Sequence, residues 1–275
     1  LRKGMEMKKI FFSALAVLLA SATTALAWPY EEMNETIKSA NFIVNRGCSG
    51  TLISTEYRLI LTNHHCIDGS SRIVTKTVID GDGVVSQIKV EEMRDLDVSQ
   101  RQYNGHQIVG ESTFKSQVVA RWKASDLALL QIRADIQNQI AAPVYAGDQV
   151  YRGETVYAVG NPLGLDATVT RGIVSSTTRM FYAPWAEAEV SFIQIDAGIS
   201  AGNSGGSLFN DTGQLIGVPA AGIPANTQLG LAIPFFRIQE FLTENCYGNV
   251  WKTDQPSHDE CVKAKEDEAA EKSKD

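Results

Sequence analysis

The chain has 275 residues, 44% of them hydrophobic, and a formal net charge of −7. This is enough apolar material for one large or two small cores, and it excludes a disordered polymer. The acidic balance also excludes nucleic acid as a natural partner, because phosphate binding needs a basic surface.

The first element is a leader. Lys8-Lys9, an apolar run over residues 10–20 and Ala25-Leu26-Ala27 follow the charged, apolar and small-residue order of a secretory signal peptide, with cleavage expected after Ala27. A membrane anchor would need about 20 apolar residues, and this run is shorter, so no stable membrane anchor is expected. Removing residues 1–27 deletes four basic residues and one acidic one, which moves the charge from −7 to −10. Export places the protein in a periplasm or outside the cell, where disulfides are the default state of Cys48, Cys66, Cys246 and Cys261. Three pairings exist. Proximity favours Cys48 with Cys66 and Cys246 with Cys261.

Residues 31–40 read as a short helix. From Asn41 the chain turns to short β-branched runs broken by Gly, Asn and Asp, at 58–62, 86–90, 127–132, 155–159, 172–174, 191–195 and 214–218. Such spacing predicts an all-β sandwich or barrel architecture. The polar stretch 136–153 reads as a linker between halves. The segment 234–242 opens on a proline and carries apolar residues at helical spacing, so it reads as a C-terminal helix. Residues 263–275 are almost wholly charged or Ala and read as a solvated or disordered tail. These units divide the chain into 1–27, a first half 28–140, a second half 141–250 and a tail 251–275.

Two stretches carry chemistry. One is TNHHC at 62–66, whose paired histidines pose a choice between a catalytic base, a metal site and ordinary strand-end residues. Read as extended backbone, His64 and His65 point opposite ways and do not share a ligand, so a metalloprotein built on His64, His65 and Cys66 is disfavoured. No metal and no cofactor are expected. The other is Ala201-Gly202-Asn203-Ser204-Gly205-Gly206-Ser207, where glycines beside a serine let successive N–H groups turn toward one point, as an oxyanion site requires.

Six motifs together resemble the chymotrypsin-like (trypsin-like) serine peptidases, most closely the HtrA (DegP-like) branch. They are TNHHC at 62–66, SDLALLQI at 125–132, VGNPLGL at 159–165, VTRGIVSS at 169–176, IDAGISAGNSGGSL at 195–208 and LGLAIP at 229–234. The resemblance implies two six-stranded antiparallel β-barrels, with a short N-terminal and a C-terminal helix and an active site in the cleft between the barrels. It places the base on His65, directly before the cysteine, the acid on Asp126 and the nucleophile on Ser204, with backbone N–H groups of Gly202 and Ser204 as the oxyanion donors. His64 is then a structural or surface residue. Asp95 and Asp97, the rival acids, stand in a polar stretch and are read as solvated. The implied rate falls as pH drops through roughly 6 to 7, where an imidazole base is lost to protonation.

The resemblance also bears on activation and specificity. Asn203 stands where digestive relatives carry an aspartate that pairs with a new N-terminus, so no second N-terminal cut is expected. Gly198 stands where trypsins carry an aspartate, which removes a preference for Arg or Lys. Ile199, with Ala220 and Ala221, suggests a small apolar substrate pocket, and Asp196 reads as structural. Only 41 residues follow Pro234, so the PDZ domain usual in the branch is not expected here. The expected partner is a protein or peptide substrate. Homo-oligomerisation as a trimer through Trp28, Tyr30 or Phe42 stands beside a monomer, since those residues equally suit a core. A second reading keeps the fold without catalysis, as a chaperone or adaptor that binds peptides or unfolded proteins.

Overall fold

The computed structural model describes residues 27–272 except 46, 80, 82, 137, 224 and 225. The expected leader, apart from Ala27, lies outside the described residues. The chain opens with helix α1 (Tyr30–Ala40), whose Met33, Ile37 and Ala40 recur at helical spacing and are buried, as is Trp28 before it.

The first barrel is built from β1 (Asn41–Val44), β2 (Cys48–Ser54), β3 (Leu59–Thr62), β6 (Leu96–Asn104), β7 (Gln107–Trp122) and β8 (Leu127–Ile132). It closes in the order β1-β2-β3-β8-β7-β6, with every pairing antiparallel. All four residues of β3 are buried, and so are Leu127 to Leu130 of β8, so these neighbours form the spine of the core. The intervening β4 (Ser71–Ile79) and β5 (Val85–Met93) pair only with each other. They form an arm that leaves Ile73 66% and Val85 63% exposed.

The second barrel uses β9 (Thr155–Gly160), β10 (Thr168–Ala183), β11 (Ala188–Ile195), β12 (Ser207–Asn210), β13 (Leu215–Ile223) and β14 (Asn226–Pro234). It closes as β10-β11-β14-β13-β12-β9, again antiparallel. The expected architecture is therefore the observed one: two closed barrels with short helices. Closure gives every strand of each ring two neighbours. A stretch without strands, containing one bridge from Val144 to Leu215, joins β8 to β9.

Helix α2 (Phe235–Glu244) follows Pro234, which sits at its N-cap, and buries Phe235, Ile238, Phe241 and Leu242. The expected disordered tail is corrected by the last element, α3 (His258–Lys272). Ser257 and Glu260 form a reciprocal capping box: the Ser257 N–H donates to Glu260 Oε2 at 2.9 Å, and the Glu260 N–H reaches Ser257 Oγ at 3.5 Å. The Cys246–Cys261 disulfide ties the helix to the end of α2. Its solvation is as expected, since none of its residues is buried. Of the three aromatics considered for an oligomer contact, Trp28 and Phe42 belong to the core, and Tyr30 is 79% exposed.

Candidate active site

Buried polar bonds join the two barrels along their seam. Ser49 on β2 accepts the Asn161 N–H at 2.8 Å and donates its hydroxyl to Gly202 O at 2.6 Å. Asn161 donates to Phe42 O at 3.0 Å and accepts from Asn41 Nδ2 at 2.8 Å. Thr51 and Ser207 pair their hydroxyls at 3.0 Å. Apart from the half-buried Gly202, these groups belong to buried residues, so each would be costly unpaired.

The histidine turn leaves the buried end of β3. Residues His64–Ile67 form one 3-10 turn rather than the extended backbone expected, because the Cys66 and Asp68 N–H groups bond back to Asn63 O and His65 O. The two imidazoles still diverge. The His64 ring is buried and lies 3.4 Å from Asp68 Oδ1, without hydrogen-bond geometry at Nδ1. Burial lowers its pKa, opposed by the negative charge of Asp68, so the ring is held toward its neutral form. His65 turns to Asp126, with Nδ1 at 2.9 Å from Oδ2 and 3.1 Å from Oδ1, while its backbone N–H donates to Oδ1 at 3.0 Å. The Cys48–Cys66 disulfide, with Cα atoms 5.8 Å apart, pins the residue next to it. Cys48, His65 and Cys66 place potential ligand atoms within 4.8 Å of one another, but oxidation of both sulfurs removes the thiolates a metal would need.

Asp126 ends a 3-10 turn (Lys123–Ser125) in the left-handed region, φ 53°, just before β8. Its side chain is 1% exposed. A buried carboxylate requires donors, and besides His65 it takes the indole N–H of Trp185 at Oδ2, 2.8 Å away. The rival acids stand elsewhere, Asp95 paired with Arg133 and Asp97 with Lys115 at the surface.

Ser204 lies on the loop between β11 and β12. Gly202 (φ 101°) and Gly205 (φ 81°) take left-handed backbone, and a Cβ on either would sit 2.2–2.4 Å from neighbouring backbone or side-chain oxygen. The Ala201 carbonyl accepts the Leu163 N–H at 2.9 Å. In a trans peptide the N–H points opposite to the C=O, so this bond turns the Gly202 N–H away from Leu163. Among the described residues neither the Gly202 nor the Ser204 N–H has an acceptor. The Ser204 carbonyl accepts from the Ser49 N–H at 2.8 Å, and the Gly205 N–H donates to Pro219 O at 2.9 Å. The Ser204 hydroxyl donates to Ala220 O at 3.3 Å.

At the expected pocket, Gly198 O accepts from Thr170 Oγ1 at 2.9 Å, and Ile199 is 8% exposed. A Cβ on Gly230 would stand 2.7 Å from Ile199 Cγ1, so Ile199 fills the space beside that glycine. Ala220 is buried next to Ser204, and Ala221 is half-buried. Asp196 accepts the Ile173 N–H at 2.6 Å, a structural role. Clefts flank the loop and the turn: one of about 340 Å³ beside Gly202, Asn161 and Cys48, and one of about 640 Å³ beside His64, Arg121 and Trp185. Sequence reasoning missed Asn161 and Trp185. The first lay inside a quoted motif; the second, a tryptophan between Pro184 and Ala186 in a hairpin turn, was signalled only by its type.

Known proteins resemble this chain in sequence and in fold. The model of the trypsin-like peptidase domain matches residues 48–218. A putative serine protease HhoA of Synechocystis is 35% identical over 177 residues, covering 64% of this chain and 37% of the relative. The periplasmic serine endoprotease DegP of Escherichia coli is 31% identical over 206 residues, covering 74% and 36%. The chain thus spans about a third of the length of the curated relatives it matches. Among solved structures, an HtrA-type protease with a tripeptide aligns with TM-score 0.57 at 24% identity, covering 78% of this chain and 62% of that one. A serine endoprotease from Yersinia pestis gives 0.55 at 24%, covering 80% and 67%; these two likenesses speak to the fold.

Proposed function

The chain belongs to the trypsin-like peptidase family, in its HtrA-type branch, and from that premise we propose that it is a serine endopeptidase acting through Ser204, His65 and Asp126. The observation that carries this reading is the His65–Asp126 pair at 2.9 Å, next to Cys66, whose Sγ lies 3.6 Å from the carbonyl of Ser204 on the loop whose Gly202 and Ser204 N–H groups have no acceptor among the described residues. Ser204 Oγ attacks a peptide carbonyl, His65 takes its proton and returns it to the leaving amine, and Asp126 fixes the imidazole tautomer. The hydroxyl must first rotate from Ala220 O toward the imidazole, in keeping with the loose catalytic bonds of substrate-free enzymes. The two N–H groups then receive the oxyanion, each worth about 3 kcal/mol.

Ile199 beside Gly230 supports a shallow apolar pocket and a preference for small aliphatic side chains before the scissile bond. Two disulfides and the periplasmic relative support work in an oxidising, extracytoplasmic compartment. Protein substrates, and assembly if any, follow by analogy with the longer relatives.

A fluorophosphonate probe tests the reading. Covalent labelling of the wild-type chain that disappears in Ser204→Ala is the expected result. No labelling of a folded wild-type chain would overturn catalysis and favour a peptide-binding role on the same fold.

A further inference from the structure

Oδ2 of Asp126 receives two ring donors from opposite barrels. One is His65 Nδ1 at 2.9 Å, from the turn after β3, and the other is the Trp185 indole Nε1 at 2.8 Å, from the turn between β10 and β11. Oδ1 has its own donor in the His65 backbone N–H at 3.0 Å. The described contacts of this carboxylate therefore come from two residues, and Trp185 is the one that does not carry the proposed base. Ala220, which accepts the Ser204 hydroxyl, has no side-chain donor to offer the acid.

An indole suits this place chemically. It donates one N–H, accepts nothing and carries no charge. It can satisfy a buried carboxylate without competing with the imidazolium for its charge, as an Arg or Lys would. The Trp185 ring also meets His65 edge-on, with centroids 5.9 Å apart, and so walls the imidazole on that side. The turn that bears it is braced independently: Ala186 N–H donates to Ala183 O at 3.0 Å, and Glu187 pairs with Lys123 at 2.8 Å across the seam.

We propose that Trp185 is a positioning residue for the reaction: its N–H holds the Asp126 carboxylate in the one orientation that aligns His65, which makes the acid–base pair of the first barrel depend on a hairpin tip of the second. This rests on the peptidase reading above. The experiment compares Trp185→Phe, which keeps a ring and loses the donor, with Glu187→Gln, which weakens the bracing ion pair and keeps the donor. Trp185→Leu, equally without a donor, serves if the phenyl ring does not fit. The readouts are kcat and KM on a peptide substrate and the low-field proton resonance of His65 Nδ1–H.

Loss of a hydrogen bond to a charged group predicts that kcat falls about tenfold to a hundredfold in Trp185→Phe. KM should stay unchanged, the His65 resonance should move, and Glu187→Gln should match wild type in all three. Wild-type kcat in Trp185→Phe would overturn the proposal. So would a rise in KM alone, which marks a mere cleft wall, or an equal loss in Glu187→Gln, which marks mere bracing. If the wild-type chain neither labels nor cleaves, the peptidase reading fails by itself. The resonance still decides on Trp185: a shift supports its hold on Asp126, and an unmoved resonance overturns it.

Discussion

On the first barrel His65 is held by bonds, a disulfide at the next residue and a buried carboxylate, whereas on the second barrel Ser204 is held largely by glycines packed where a side chain does not fit. The first arrangement is built of separable parts, each of which can be cut alone. The second is a steric arrangement of backbone against backbone, in which one added methyl group displaces the chain. The same site thus combines a half that degrades in steps with a half that fails at once.

The largest effect is expected on the steric side. A Cβ at Gly205 would lie 2.2 Å from both Ser49 O and Thr62 Oγ1, and φ is 81°. Left-handed backbone costs about 1–2 kcal/mol for a residue with a Cβ, and overpacking adds about 1–3 kcal/mol. Gly205→Ala should therefore lose about 2–5 kcal/mol by denaturant unfolding, together with probe labelling at Ser204. Gly153 has a similar φ of 89° with nothing within 4 Å of its added Cβ. Gly153→Ala should pay only the backbone cost and keep its labelling. Equal losses in the two variants would break the comparison.

Cutting the covalent part of the first barrel should cost less. The Cys48–Cys66 bridge spans 18 residues, which the chain-entropy model converts to about 3 kcal/mol. Cys48→Ala with Cys66→Ala should lower the melting temperature by that measure while labelling persists, because the Asp126 contacts to His65 do not pass through the sulfurs. The second bridge, over 15 residues, ties down α3, which buries none of its residues. Its removal should melt α3 and leave the labelling rate as it was. Loss of labelling in the first double variant, with no fall in stability, would show that the staple aims the histidine rather than anchoring the fold.

How much of this was legible in the sequence divides along the same line. The barrels were readable because motifs with a fixed order pin them; the expectation of His65 rather than His64 rested on the same motifs, and the 3-10 turn at 64–67 brings His65 Nδ1 to 2.9 Å from Asp126. Trp185 was not readable: its partner stands 59 residues away, and no local pattern announces a hydrogen bond made across two barrels. Asn161 escaped for a related reason, since its bonds run to Asn41, Phe42 and Ser49, more than a hundred residues earlier. The α3 error had another source. The capping pair Ser257 and Glu260 stands just before the charged run, and a reading based on the composition of that run passed over it.

The smallest effect is expected in the arm of β4 and β5. Glu91 on β5 meets Arg121 on β7 at 2.8 Å. The hydrogen bond from Arg121 is the main cause that lowers the Glu91 pKa from 4.5 to about 2, and the same bond raises that of Arg121. A carboxyl depressed by folding contributes its stability in full above 4.5 and loses it as pH falls from there toward 2. Glu91→Gln should therefore lower the melting temperature slightly at pH 7, with the gap to wild type closing across that acid window and also on adding salt, because the pair is exposed. Labelling of Ser204 should not change. The Glu91 contacts end on the arm and on β7, so a changed labelling rate would mean that the arm acts on the cleft beside His64 and Trp185, which both residues of the pair line.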